Sequence, residues 1–445
     1  MLIVDTALER LESEGRPIRV AVIGAGFQGA AIARQITRST QGMRVVGLAN
    51  RNRAKATNVL SDLSLEFIEC EGRAEIVTAL DNGQVAATSD AISLAEADGV
   101  DVVVEVTGSV EHAAAVALAA INAGKHFINM NAELDGTLGP LLSHRAQAAG
   151  VIYSFSDGDQ PGVQMNLFRF VRGIGAKPVL CGNIKGLHDP YRNPQTQRAF
   201  AERWGQKPAM VASFADGTKI SFEQAVVANG TGFKVAQRGM LGPDFSNGDP
   251  TAPLVPLEDT IQAFAGVLDR AETGLVDYVV GARPGPGVFV VATMDDPRQR
   301  HFLNLYKLGM GPYYCFQTPY HLCHFEVPNS VARAALFTDP VLRPSAGPVV
   351  GVVASAKRDL APGETITEFG GFEAYGVAEN YDVIESQRLL PMGLALGARL
   401  VRSVGRDQVL TWEDVSLPQG SLAVDLYQEQ RALFPLPKLQ EELCG

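Results

Sequence analysis

Cysteine is scarce in this chain, and its five residues, Cys70, Cys181, Cys315, Cys323 and Cys444, fall at no paired spacing and in no CxxC. An odd, scattered set excludes a disulfide framework and a zinc ribbon, and it predicts reduced thiols in a cytoplasmic protein. Positive charge is also short: 38 Lys and Arg against 49 Asp and Glu leave a formal net charge of -11. That balance argues against nucleic acid or an anionic membrane surface as a partner. No apolar run reaches the ~18 residues that span a bilayer. The first fifteen residues carry acids without an apolar stretch and read as a short amphipathic helix rather than a signal peptide. Internal repeats and low-complexity tracts are absent as well. What is left is a soluble chain of 445 residues, long enough for two or three domains.

One stretch organises the rest. Ile18 to Ile23 is an apolar run of strand type, Gly24-Ala25-Gly26-Phe27-Gln28-Gly29 is a glycine turn, and Ala30 to Ile36 has helical composition. Each glycine has its own reason: Gly24 makes a tight turn, Gly26 lets backbone N–H groups near a pyrophosphate, and Gly29 lets the helix pack on the strand. The helix N-terminus then favours negative charge. A second strand-like run, Met43 to Ala49, ends at Asn50-Arg51. An NAD site usually has an acidic residue there for the ribose 2′-OH, so Asn50 and Arg51 predict NADP, with NAD as the alternative. The plain reading is that Arg51, Arg53 and Lys55 form a solvated helix start.

Residues 56 to 98 are mixed in pattern and longer than a minimal crossover requires. From Val100 the alternation is clear: a β-branched run to Gly108, a helix from His112 to Ala123, a strand from His126 to Asn131, a helix from Gly139 to Ala149 and a strand from Val151 to Phe155. Strand and helix in alternation mean an α/β fold with a Rossmann-type, doubly wound parallel sheet. Ligands sit outside the carboxyl ends of such strands, which makes Thr107, Gly108, Asn129, Asn131 and Glu133 candidates for the cofactor and Asp159 and Gln160 candidates for the substrate. Ordinary turn chemistry would account for the same residue types.

Beyond Gly158 the alternation stops. Gly182 to Gln197 has no hydrophobic period and offers Lys185, His188, Asp189 and Arg192, side chains suited to an anionic or polyhydroxylated substrate and to moving its protons. The alternative is a solvated surface loop. Asp216-Gly217 makes a turn and Ser221 to Asn229 looks helical, with Lys219 and Glu223 spaced i, i+4. Tyr306 to His324 supplies Lys307 and His321 as further substrate candidates. His321 and His324 are spaced i, i+3, but Pro319 and the surrounding aromatics point to strand or loop and against a helical metal pair. From about residue 346, short strands and Pro-Gly turns indicate a small β-rich module.

The motifs Gly24 to Gly29, Glu105-Val106-Thr107-Gly108, Asn129 to Glu133, Gly158 to Pro161, Asp216 to Lys219 and Tyr306 to His321 together resemble the homoserine-dehydrogenase-like oxidoreductases, most closely the branch of DXP reductoisomerase-like enzymes. Asp359 to Glu364 and Leu390 to Gly393 resemble a SAF (antifreeze-like) module. The likeness covers nearly the whole chain. It departs at Asn131-Ala132-Glu133, where homoserine dehydrogenases usually carry Asn-Lys, and at Lys185 to Gln197, so a plain homoserine dehydrogenase is disfavoured. The resemblance implies a Rossmann domain at 1–158, an α+β catalytic domain at 159–345 and a SAF-like domain with its tail at 346–445. It implies an NAD(P)-dependent oxidoreductase of carbohydrate metabolism acting on a small hydroxylated carbonyl compound, phosphorylated or not, in a homo-oligomer. Lys185, Asp189, Arg192, Lys219 and Glu223 are its catalytic candidates. If the carbon skeleton rearranges, magnesium or manganese would polarise adjacent oxygens from Asp189, Asp216 and Glu223. The competing readings are a sugar or sugar-acid dehydrogenase without rearrangement and a non-catalytic NADP-sensing or carbohydrate-binding protein.

Overall fold

The computed structural model describes residues 4–249 and 251–436; Cys444 and the end of the C-terminal tail lie outside the described residues. The first sheet contains β1 (Ile18–Ile23), β2 (Met43–Ala49), β3 (Phe67–Cys70), β4 (Val85–Thr88), β5 (Val102–Glu105), β6 (His126–Asn129) and β7 (Tyr153–Phe155). Its order is β3-β4-β2-β1-β5-β6-β7, and every pairing is parallel. The central strands are almost wholly buried because helices cover both faces: β5 is fully buried and β1 exposes only Arg19. The chain direction of travel reverses between β1 and β5, so the crevice at their carboxyl ends is where an open α/β sheet takes its ligand.

The mixed stretch 56–98 folds as helix Arg53–Asp62, β3, helix Arg73–Asp81, β4 and helix Ala91–Glu96, and it extends the sheet by two strands, with β3 at the edge. The helix expected from Gly139 begins earlier and runs Ala132–Ala148, capped by the Asn131 side chain, so Glu133 sits in its first turn.

The second sheet has β8 (Lys177–Lys185) between β10 (Leu275–Val280), parallel to it, and β12 (Gly287–Thr293), antiparallel, with β13 (Tyr314–Thr318) at the edge; β9 (Val255–Pro256) and β11 (Ala282–Arg283) form a short pair beside it. Helix Thr218–Thr231 is buried along most of its length and lies between this sheet and the first domain. The remaining strands are the antiparallel pairs β14 (Val350–Ala356) with β15 (Ala374–Asn380) and β16 (Arg399–Leu400) with β17 (Val415–Ser416). These strands face two cores: Val350, Val352 and Ala354 pack in one apolar cluster with Phe222, Val226 and Val290, while Val353, Ile384 and Leu389 form a smaller cluster within the C-terminal part. The helix Leu422–Leu433 then returns to the first domain. Pro140 inside helix Ala132–Ala148 disturbs the helical ladder, and the Gln430 amide fills the gap, accepting from Leu141 N at 3.1 Å and donating to Thr137 O at 3.0 Å.

Candidate active site

At the nucleotide end, the glycine turn has the geometry its spacing predicts. Gly24 has φ +114, and a Cβ on Gly29 would stand 1.7 Å from the Gly24 carbonyl oxygen, so the helix can lie this close to the strand only with glycine there. A Cβ on Gly26 would meet nothing within 4 Å, and no side chain caps the helix Phe27–Ser39. Its first-turn N–H groups therefore face an open cradle, and these residues fit a dinucleotide pyrophosphate. Phe27 is exposed and Gln28 half-buried at this rim. Asn50 Oδ1 accepts from Ala25 N at 3.1 Å and braces the turn. Arg53 is engaged by Glu69 at 3.0 Å, whereas Arg51 is exposed, in no ion pair among the described residues, and close enough to His112 to add to the effect of burial in lowering its pKa.

At the end of β5, burial pushes the Glu105 carboxyl up to about 7 despite its bonds to Thr107, and Glu105 Oε1 accepts from Thr107 N at 2.7 Å. Thr107 and Gly108 open toward solvent beside it, with Gly108 at φ +72. Asn129 and Asn131 were expected to meet the cofactor; both are buried and their side chains are committed inward. Asn129 Nδ2 donates to Asn131 O at 3.0 Å and to Tyr153 Oη at 3.2 Å, and Asn131 Oδ1 accepts from Leu134 N. They shape the loop rather than line its surface.

The substrate end gathers residues from five separate segments. Asn183, on β8, donates from Nδ2 to Glu223 Oε2 at 2.9 Å, and the Gln160 amide nitrogen faces the same carboxylate, 3.2 Å from Glu223 Oε1; all three residues are buried. Lys219 Nζ lies 3.6 Å from Glu133 Oε2. Burial opposes the Lys219 charge, but Glu133, Asp159 and Glu223 outweigh it and hold the ammonium charged. Burial raises Glu223 to about 7; Lys185 and Lys219 pull it down while Asp159 and Glu133 push it further up. His321 is lowered by burial and by Lys185, with Asp159 opposing. Lys185, half-buried at the end of β8, enters no ion pair among the described residues, so its ammonium is left for a ligand. The turn Cys323–Phe325 packs against helix Phe27–Ser39, which brings this cluster against the nucleotide half. Gly158 makes that docking fit: its carbonyl accepts from Cys323 N at 2.8 Å, and a Cβ there would stand 2.2 Å from Cys323 O.

Four expected residues do not join. Asp189 and Arg192 pair with each other at 3.0 Å on a loop held to the C-terminal strands, where Tyr191 Oη donates to Asp407 at 2.8 Å. Asp216 is fully buried and bound by Lys357 Nζ at 2.8 Å. Lys307 is exposed beyond helix Pro297–Leu305 and takes no part in the cluster's bonds. The carboxylates of Asp189, Asp216 and Glu223 are thus each engaged by a different partner, Arg192, Lys357 and Asn183, and do not fit a magnesium or manganese site. The physical reason is that a polar loop with no apolar period was free to pair its own charges. Residues that sequence patterns passed over are Asn183, hidden as one polar residue in a buried strand, and Cys323, two positions beyond His321.

Residues 24–156 match the family model of the homoserine dehydrogenase NAD binding domain, and residues 158–327 match that of the oxidoreductase DRL catalytic domain. The chain therefore carries an NAD-binding domain of homoserine dehydrogenase type followed by an oxidoreductase DRL catalytic domain. No curated protein matches it. Among solved structures, an NAD binding oxidoreductase from Klebsiella pneumoniae shares 21% identity over 40% of this chain and 45% of that one, with a TM-score of 0.29, so the match spans less than half of that relative. A probable dehydrogenase from Thermotoga maritima shares 12% identity over 74% and 92% with a TM-score of 0.42. Myo-inositol dehydrogenase from Lactobacillus casei, in complex with NAD(H) and myo-inositol, shares 14% over 74% and 89% with a TM-score of 0.39.

Proposed function

We propose that the protein is an NADP-dependent oxidoreductase that interconverts a carbonyl and a hydroxyl group on a small polyhydroxylated substrate, without rearrangement through an Asp189–Asp216–Glu223 cation. The observation that carries this is the unpaired Lys185 beside the buried Glu223–Asn183–Gln160 network. The nicotinamide ring, when bound, supplies or accepts the hydride. Lys185 donates a proton to the oxygen that gains negative charge and stabilises that charge as it forms. Glu223, raised to about 7 by burial, holds a proton near neutrality and can return it to Lys185. Asn183 and Gln160 hold the Glu223 carboxyl in place by hydrogen bonds, and Lys219, held charged by Glu133, fixes the electrostatic floor.

NADP rather than NAD is supported by the exposed Arg51 beyond β2, where no acidic residue stands. The division at 1–158, 159–345 and 346–445, with a SAF-like last part, is supported by the separate strand pairs β14–β15 and β16–β17. Self-association is supported by Phe302, Leu305, Tyr306 and Met310, which are exposed on one segment, and a cytoplasmic setting by the free Cys70, Cys181, Cys315 and Cys323. The test is NADPH absorbance followed over a panel of polyhydroxylated aldehydes and ketones and their phosphates. NADPH oxidation with a reduced, unrearranged product is expected. Tight NADPH binding with no turnover across the panel would favour a sensor instead.

A further inference from the structure

The cleft holds a second group of side chains that the hydride-transfer chemistry above does not use. Asp159 caps helix Gln160–Gly173, His321 lies in the loop after β13, and Cys323 opens the turn docked on Gly158. One ligand atom from each, a carboxylate oxygen, an imidazole nitrogen and the sulfur, all lie within 4.8 Å of one another. Cys323 Sγ and His321 Nδ1 are 3.5 Å apart. A tetrahedral zinc ion, with bonds of ~2.3 Å to sulfur and ~2.0 Å to nitrogen, sets those two atoms about 3.5 Å apart. The Asp159 Oδ1 atom accepts from Gln160 N at 3.0 Å, and its Oδ2 has no protein donor among the described residues.

Lys185 and Lys219 bring two positive charges to the cluster, while Asp159, Glu133, Glu223 and the nearby Glu326 bring four carboxyl groups. Lys219 is turned to Glu133 and is not set against the trio alone. An oxygen, nitrogen and sulfur set selects zinc or a similar borderline ion over magnesium.

We propose that Asp159, His321 and Cys323 bind one divalent transition ion, zinc fitting best, with a fourth position left for an oxygen of the substrate. Binding displaces the Cys323 thiol proton to solvent and forms a metal–thiolate bond, with no change of oxidation state. The ion then polarises the substrate oxygen that Lys185 protonates, and to that extent the inference rests on the proposed cleft chemistry. It differs from the rejected carboxylate site in ligands, position and metal.

Cobalt(II) added to the chelator-treated full-length protein tests this, because a cysteine-bound cobalt gives a thiolate charge-transfer band in the near ultraviolet and intense visible bands when tetrahedral. One equivalent of cobalt should bind with that band. Cys323→Ser should abolish the band, and His321→Gln and Asp159→Asn should weaken binding about tenfold or more. NADPH titration of the same variants reads the nucleotide half separately, since the Gly24–Gly29 turn contributes nothing to the trio. Absence of a thiolate band in the parent protein would overturn the site whatever the variants do, and so would cobalt binding undiminished in His321→Gln. A substrate panel without turnover, alongside normal cobalt binding, would instead strike the proposed reaction and leave the metal site standing.

Discussion

Two lysines reach the same cleft, and their surroundings separate their roles. Lys219 is held by Glu133 at 3.6 Å and stabilised as a cation by three carboxylates, so it has little tendency to give up a proton. Lys185 has no such partner among the described residues and influences both Glu223 and His321. Lys185→Met is expected to lower kcat by about 10² or more with NADPH affinity retained, the scale of a lost general acid. A smaller loss for Lys185→Met than for Lys219→Met in single-turnover kinetics would transfer the role. A different buried acid governs stability. Burial pushes Asp135 from an ordinary value of 3.8 up to about 7, only partly opposed by the Tyr153 hydroxyl that donates to its Oδ2 at 2.9 Å. A folded-state pKa above the unfolded one means stability is fully present below about 4 and is lost as pH rises through 7. Asp135→Asn keeps the acceptor and removes the ionisation, so the variant's stability relative to the parent should rise steadily from about pH 4 and level off above about pH 7. Parallel Tm–pH curves from calorimetry would refute this.

At the scale of elements, the strand–turn–helix unit at residues 18–39 is the part that tolerates least change. The Cβ of Gly29→Ala would meet a backbone carbonyl at 1.7 Å, so helix Phe27–Ser39 must move off β1. NADPH affinity measured by fluorescence titration should fall by tenfold or more, about 1.4 kcal/mol, while Gly26→Ala, whose Cβ meets open space, should be felt only when nucleotide is bound. Arg51→Asp should erase or reverse a preference for NADPH over NADH, and equal affinities in the parent would remove the basis for that preference. This unit was legible in the sequence because each glycine answers a local steric demand. Strands β3 and β4 were not: each has only four residues, and β3, at the sheet edge, leaves Ile68 and Glu69 exposed and carries no alternation to detect. The site was legible in part. Lys185, Lys219, Glu223, Asp159, Gln160 and His321 converge, but Gly182 to Lys185 is the end of a buried strand rather than loop, since Asn183 exchanges hydrogen bonds with buried partners on two helices. Long-range pairing of that kind leaves no mark in local periodicity, which is also why Asp216 was open to misreading: its partner lies 141 positions away.

Across the whole molecule, the β-rich part that the compositional shift near residue 346 marks is braced against the catalytic half. Lys357 Nζ, nearly inaccessible, bonds Asp216 at 2.8 Å and the carbonyls of Arg192 and Gly371 at 2.7 Å each, so one ammonium from the C-terminal strands neutralises a carboxylate of the catalytic half and ties down the loop that carries Asp189. Val350, Val352 and Ala354 lie in the apolar cluster of helix Thr218–Thr231, the helix that bears Lys219 and Glu223, and Gln430 completes the ladder of helix Ala132–Ala148, which bears Glu133. Removing the chain after Arg343 would therefore expose the apolar faces of both supporting helices and leave Asp216 buried without a counter-charge. Such a fragment should be insoluble or unfolded by circular dichroism. The full chain carrying Lys357→Met should lose about 3–5 kcal/mol in denaturant unfolding, because a buried charge left unpaired costs far more than the pair itself contributes. The double variant Lys357→Met/Asp216→Asn separates that cost from lost packing: with no charge left to desolvate, it should recover a large part of the loss. If it is no more stable than Lys357→Met alone, the C-terminal strands are held by apolar contact and the ion pair has no such role.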